Sequence, residues 1–295
     1  MTYLQISEIV RNNFLSGLKD YKIKNLDDLQ NLYKKLIQIR ANLNFDYGFD
    51  VHPHYRGEQL FGRDIIPGIF RPPFSADVNM ENARLIEKNA IKIFKEKVIE
   101  EYGSDAIFKY EEESENSESW NLLFQAQHAG VKTNLIDLST SIFSSAFFAS
   151  EPSEKHDDKA GQIWCLLIPS EFIYGESTEY DKPCYSVLSP FQLDTSFVCN
   201  VPTFIDNIDQ RKYQFRLFRQ HGRLFVSSDR DVNIPFNKKE FWENMMIPIK
   251  ILPEDKKEIF NQLNEVGINH EKLILDDDDK SKKFIAKINE EIKNI

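Results

Sequence analysis

The sequence predicts an α+β protein, with strands scattered among helices rather than alternating with them. Three observations carry that prediction. Hydrophobic residues make up 41% of the 295 residues and aromatic residues 13%, which is enough for a sizeable core. Apolar spacing changes along the chain between a three-to-four-residue period and short continuous runs. The strand-like runs show no regular β-α-β order, which argues against a doubly wound parallel sheet. There is no internal repeat and no G-x-x-x-x-G-K-[ST] phosphate loop.

Taken in order, residues 5 to 19 and 26 to 46 have helical spacing. In the second segment Leu29, Leu32, Leu36, Ile37 and Ile39 recur, and Asn25 or Asp27 suits the N-cap. Residues 1 to 48 thus form an N-terminal helical layer, and 49 to 295 the α+β body on which it packs. Residues 51 to 57 read as a strand, and "PGIFRPP" as a short extended piece bounded by prolines. Residues 79 to 103 form an amphipathic helix closed by Gly103, and 118 to 129 a helix stopped by Gly130. "TNLID" (133 to 137) is a strand, "TSIFSSAFFAS" (140 to 150) a buried helix, and "GQIWCLLIP" (161 to 169) a buried strand. The stretch 170 to 208 is turn-rich and takes no assignment. "QRKYQFRLFRQHG" begins helical and is broken by Gly222, after which "RLFVS" is a strand. "MMIPIKIL" is the last strand, Pro253 opens a helix ending near Gly267, and 282 to 294 is a helical tail.

The net charge of −10 is concentrated. Glu111 to Glu118 carries five acids and Asp276 to Asp279 four, so the rest of the chain is near neutral. Such runs read as solvated loops. They argue against non-specific duplex binding, which needs a positive field, but leave local binding of a small anion open. Cys165, Cys184 and Cys199 form neither a disulfide framework nor a C-x-x-C pair. Three free thiols fit a reducing compartment. The opening "MTYLQISEIVRNN" lacks a signal-peptide pattern, and no apolar run reaches membrane-spanning length. The expected location is the cytosol, with no membrane partner.

Four stretches combine polar residues with apolar surroundings, and each has two readings. In "YRGE", Arg56 offers a planar fork of donors suited to phosphate, and Gly57 would let backbone approach a ligand. The alternative is a surface arginine beside a turn glycine. In "QAQHAG", Gln127 and His128 occupy the last turn of a helix, where the dipole alone favours a histidine. In "NLIDLSTSIFSSAFFA", Asp137 closes a strand and Ser139, Thr140 and Ser141 begin a helix. Ser139 or Thr140 suits the N-cap; the three hydroxyls and the free helix N–H groups also suit an anionic or ribose-bearing ligand. In "RLFRQHGRLF", Arg216 and Gln220 share a helix face before Gly222. No G-x-S-x-G elbow and no H-E-x-x-H helix is present, so metal catalysis is not suggested.

The order of these stretches resembles the FRG domain family. Its Phe/Tyr-Arg-Gly motif corresponds to Tyr55-Arg56-Gly57, and a later proline and arginine to Pro67 and Arg71 in "PGIFR". Its central Gln-His-x-Gly signature corresponds to "QHAGVKTNLIDLSTSIFSSAFFA", and its Arg-x-x-x-Gln-x-Gly-x-x-Phe signal to Arg216, Gln220, Gly222 and Phe225. The resemblance runs over roughly residues 50 to 280. More distantly, Arg56 followed by Ser139-Thr140-Ser141 resembles the arginine–STS–glutamate branch of ADP-ribosyltransferases.

The second resemblance implies a single domain with a split mixed or antiparallel sheet. It implies NAD as cofactor, Arg56 on its phosphates, and Ser139 or Ser141 on the nicotinamide-side ribose. Gln220 stands nearest the position of that branch's glutamate. A neutral amide can hydrogen-bond a ribose but cannot offset developing oxocarbenium charge, so Glu58 or Asp137 would have to serve instead. The expected site therefore has Glu58, His128, Asp137 and Gln220 in catalytic positions. Tyr55, Arg56, Gly57, Arg71, Gln127, Ser139, Thr140, Ser141 and Arg216 bind the ligand. The expected function is binding of NAD or a related nucleotide, with ADP-ribosyl transfer to a protein or nucleic-acid acceptor, or NAD cleavage, as a toxin or antiphage effector. The alternative is a non-catalytic nucleotide- or protein-binding sensor. A nuclease reading lacks both a basic patch and a metal-ligand cluster.

Overall fold

A computed structural model describes residues 2–71, 82–104, 107, 115–174, 188–199, 220–273 and 279–293. The elements begin with a helix, α1 (Tyr3–Ile9), held by a capping box between Thr2 and Gln5. The chain then widens into a π turn over Val10–Leu15 and tightens into a 3-10 turn over Ser16–Leu18, where the sequence predicts plain helix to 19. Strand β1 (Lys22–Ile23) precedes α2 (Leu26–Tyr47). The Asn25 side chain caps α2, and Gly48 ends it in the left-handed region at φ 62°. Leu29, Leu32, Leu36, Ile39 and Leu43 bury one face of α2. The sequence also assigns Ile37 to that face, but it lies 38% exposed.

Strand β2 (Val51–Glu58) is followed by a 3-10 turn at Gly68–Phe70, where the sequence predicts an extended piece; Pro72 and Pro73 of "PGIFRPP" lie outside the described residues. The Pro67 carbonyl accepts from the Phe70 N–H and the Gly68 carbonyl from the Arg71 N–H, which winds the segment up. Helix α3 (Ala83–Tyr102) ends at Gly103, and α4 (Glu115–Ala129) ends before Gly130 at φ 97°. Strand β3 (Leu135–Ser139) lies two residues later than the sequence predicts. Thr133 is excluded from the strand because its hydroxyl accepts from the Leu135 N–H and donates to the Gln127 side chain. Asp137 therefore sits mid-strand, and Ser139 closes the strand instead of opening the helix. Helix α5 (Ile142–Ser150) is capped by Ser141, not by Ser139 or Thr140.

Strand β4 (Gly161–Pro169) is buried along its whole length. Two short strands, β5 (Ile173–Tyr174) and β6 (Phe197–Cys199), lie in the stretch that had no assignment. Strand β7 (Gly222–Val226) begins at the glycine expected to be a breaker. The turn is made one residue earlier by His221, whose φ is 49°. A short α6 (Glu240–Asn244), β8 (Met246–Ile251), α7 (Pro253–Glu265), a single turn α8 (His270–Leu273) and α9 (Asp279–Lys293) complete the described chain. No helix among the described residues is long and apolar enough to cross a membrane.

These strands form one mixed sheet in the order β1-β8-β4-β2-β3-β7-β6-β5. β1–β8 and β5–β6 are parallel, and the other neighbours are antiparallel. The sheet nearly parts in the middle. β2 is in register with β4 from Val51 to Glu58, and β3 with β7 from Leu135 to Ser139. Between β2 and β3 the registered pair is Tyr55 with Ser139. The core divides by face of the sheet instead. One cluster joins α2, α5, β2, β4 and β8 with Ile136, Leu138, Val198 and Phe225; the other joins α3, α4 and α9 with Leu135, Phe197, Cys199, Leu224 and Val226, so β3, β6 and β7 contribute alternate residues to each.

Helix α5 fixes that geometry. Its small residues let it sit down on the sheet. A Cβ on Gly57 would stand 1.8 Å from the Ser145 carbonyl oxygen, and one on Gly161 2.4 Å from that of Ala149. On the far side Phe147 packs on Phe260 of α7, with ring centroids 5.2 Å apart. The buried Lys256 amine ties α7 to the main chain at Gln59 and His156.

Gly57→Ala should therefore lower stability by about 3 kcal/mol, because backbone and not a flexible side chain fills the space. Gly17→Ala, where a Cβ meets nothing within 4 Å, is the matched control. Urea unfolding of both variants checks this, and an unchanged midpoint for Gly57→Ala would contradict the close seating of α5.

Candidate functional site

The parting of β2 from β3 leaves main-chain groups to satisfy, and Arg56 satisfies one of them. Its Nη1 donates to the main-chain carbonyl of Asp137 at 2.7 Å, across the gap where a ladder bond would otherwise run. Its Nε donates to Glu58 Oε1 at 3.0 Å. Glu58 is itself buried and accepts at Oε2 from Gln162 Nε2 at 3.3 Å. Arg56 thus pairs with the Glu58 carboxylate and with the main chain of Asp137, not with the Asp137 carboxylate. Glu58 is not among the residues facing the cleft. Gly57 makes room for α5, and the Tyr55 side chain is buried in the core. Burial, and then the neighbouring Cys165 and Tyr33, push the Tyr55 phenol far above its ordinary pKa, so it stays protonated.

The three hydroxyls after β3 are also held by the fold. Ser139 Oγ donates to the Gln220 carbonyl at 2.6 Å and accepts from the Ser141 N–H at 2.9 Å. The Thr140 N–H donates to the His221 carbonyl at 2.9 Å. Ser141 Oγ accepts from the Ser144 N–H at 3.2 Å. Together these bonds lock the β3–α5 turn to the start of β7. Ser141 faces a neighbouring, more open cavity of about 380 Å3. Thr140 faces neither cavity.

Between α4 and α5, over the gap, lies a cavity of about 350 Å3. Asp137 is the carboxylate that lines it among the described residues. Asp137 Oδ2 accepts from Gln127 Nε2 at 3.0 Å, and Gln127 Oε1 accepts from Thr133 Oγ1 at 2.5 Å. The threonine thereby sets the orientation of the amide, and the amide sets that of the exposed carboxylate. His128 Nδ1 donates to the Phe124 carbonyl at 2.6 Å. Gln220 lines the same cavity, and its side-chain amide donates to the Leu273 carbonyl at 2.8 Å.

Arg71 enters from the turn after β2. Its Nε donates to the Ile66 carbonyl at 2.8 Å. No carboxylate among the described residues pairs with it. Burial, and next the like charge of Arg56, bring its pKa down to about 10, against attraction from Glu58 and Asp137. It stays charged at neutral pH, half-buried at the edge of the cavity.

The structure therefore brings Tyr55, Arg56, Gly57, Arg71, Gln127, His128, Asp137, Ser139 and Gln220 to one cavity. Arg216 lies outside the described residues. Sequence reasoning missed Lys132, which lines the cavity beside Gly68, and Asn289 of α9, which supports that wall. Asn289 Oδ1 accepts from the Lys132 N–H at 3.1 Å, and its Nδ2 donates to the Gly130 carbonyl at 3.1 Å. The adjacency of Lys132 to the Gln-His-x-Gly stretch was its available signal; Asn289 had none. Among the described residues no cluster of His, Cys, Asp and Glu is placed to hold a metal ion.

An α+β sheet parted at its centre, with an arginine-bordered cleft over the gap, is the class of structure these residues define. The FRG domain family model matches residues 52–158, from β2 to the loop before β4. That is the first part of the stretch over which the motifs run. It includes Arg56, Arg71, His128, Asp137 and Ser139 to Ser141, and leaves Gln220 outside. No curated protein and no solved structure matches the chain.

The two arginines should separate on mutation. Arg56→Met leaves the buried Glu58 carboxylate without its cation and should cost about 3 kcal/mol. Arg71→Met removes one hydrogen bond but also a partly desolvated, unpaired charge, and should change stability by less than about 1 kcal/mol. Denaturant unfolding of the two variants checks this; equal losses would contradict the division of roles.

Proposed function

We infer that the cleft over the β2–β3 gap binds a phosphate-bearing nucleotide, with NAD the candidate ligand. The observation that carries this reading is Arg71. A half-buried guanidinium without a carboxylate partner among the described residues is costly, unless an anion completes it. Arg71, not Arg56, is accordingly the phosphate anchor. Arg56 holds the floor of the cleft through Glu58 and the Asp137 carbonyl. Asp137 is the group able to act on the ligand chemically. Its carboxylate is exposed in the cleft and oriented by Gln127, where a negative charge would favour the oxocarbenium character that develops as the nicotinamide–ribose bond breaks. NAD cleavage, or ADP-ribosyl transfer to a protein or nucleic-acid acceptor, is the activity this supports. Depletion of NAD or modification of a host component would suit an effector acting as a toxin or in antiphage defence.

A second reading has its own observation. Gln220 is neutral, and its amide donates to the Leu273 carbonyl, so it supplies no charge to a departing nicotinamide. On that reading the protein is a sensor that binds the nucleotide without consuming it.

Thermal unfolding with NAD, followed by chromatography of free nicotinamide, tests both. At a ligand concentration about 100 times Kd, wild type should gain about 2.7 kcal/mol, a shift of several degrees. Arg71→Met should abolish the shift while keeping its own melting temperature. Nicotinamide release that is lost in Asp137→Asn, with the shift retained, marks the enzyme. A shift without release marks the sensor, and no shift with NAD, ADP or AMP contradicts the nucleotide reading.

A further inference from the structure

Three cations and one carboxylate line the cleft among the described residues: Arg56, Arg71 and Lys132 against Asp137. Arg56 is already paired with Glu58. Arg71 and Lys132 make no ion pair with any described residue.

The two are neighbours by construction. The Ile69 N–H donates to the Thr133 carbonyl at 3.1 Å, which docks the turn bearing Arg71 onto the loop bearing Lys132. A Cβ on Gly68 would stand 3.2 Å from Lys132 Cδ and 3.6 Å from its Cα, so the lysine stem lies along the bare glycine backbone. Asn289 holds the loop from behind, through both the Gly130 carbonyl and the Lys132 N–H. The lysine is thus held in place at its main chain and its stem, while its amine makes no hydrogen bond to the described residues.

A single phosphate needs only the fork of Arg71. A second cation from a separate loop suits a second, linked anionic group, for which a lysine amine is a compact point charge. We propose that Lys132 is the specificity-determining residue of the cleft, and that the ligand carries a diphosphate bridging Arg71 and Lys132. The assignment rests on the nucleotide reading of the cleft given above.

Calorimetric titration of the full chain with ADP and with AMP tests it, because the two differ by one phosphate. Wild type should bind ADP about tenfold or more tightly than AMP, the scale of one charge-assisted contact. Lys132→Met keeps the stem and should bring the two affinities together, by weakening ADP alone, with the melting temperature unchanged. Lys132→Arg should restore the preference. Equal affinities in the wild type, or equal weakening of both ligands in Lys132→Met, would overturn the assignment. If neither ligand nor NAD binds, the nucleotide reading itself falls, and this assignment with it.

Discussion

The site depends on the close seating of one helix. Helix α5 lies so near the sheet that its carbonyls occupy the space of two missing Cβ atoms, at Gly57 and Gly161. The chain leaves β3 at Ser139 and enters α5 at Ile142, with only Thr140 and Ser141 to turn it. With α5 held down over β2 and β4, the end of β3 is pinned against Tyr55 and the rest of β3 follows β7 instead. The cleft is the space left where β2 and β3 diverge. Interiors pack at crystal-like density, so a gap of this kind persists only where flanking contacts hold it open. Here Arg56 bridges it from below, and the Ser139–Gln220 hydrogen bond ties its far side to β7.

Electrostatics then divides the arginines. One guanidinium is neutralised by a buried carboxylate and has a structural partner on each side of the gap. The other lies at the rim, without that neutralisation and with its pKa brought down by burial. Buried charges persist where they are paired or where a ligand repays their desolvation. The same reasoning separates the carboxylates. Glu58 is committed to Arg56 and Gln162, whereas Asp137 is exposed in the cleft and aimed by a neutral amide.

Much of this was legible in the sequence because it depended on local pattern. The 3.6-residue spacing of Leu29, Leu32, Leu36 and Ile39, and the caps at Asn25 and Gly48, are local signals, and α2 follows them. The apolar run Gly161 to Pro169 became a strand buried on both faces. What was illegible depended on tertiary pairing. The shift of β3 by two residues comes from the Thr133 hydroxyl meeting Gln127 and from Ser139 pairing with Tyr55. The use of Gly57 by α5 was illegible for the same reason. A glycine that suits a ligand's approach equally suits a helix's, and only the position of α5 decides between them. Lys132 escaped notice because a lone lysine has no periodicity, and its neighbour Gly68 lies 64 residues earlier in the sequence.

The central claim is that an anionic nucleotide sits in the gap between β2 and β3. Hydrogen–deuterium exchange of the full chain with and without saturating NAD tests it most directly. The account predicts slowed exchange in three segments that contribute to the lining of this cleft: residues 54–58, 65–71 and 127–139. Protection confined to the neighbouring cavity around Ser141, His221 and Lys272, or no change anywhere in the chain, would contradict it.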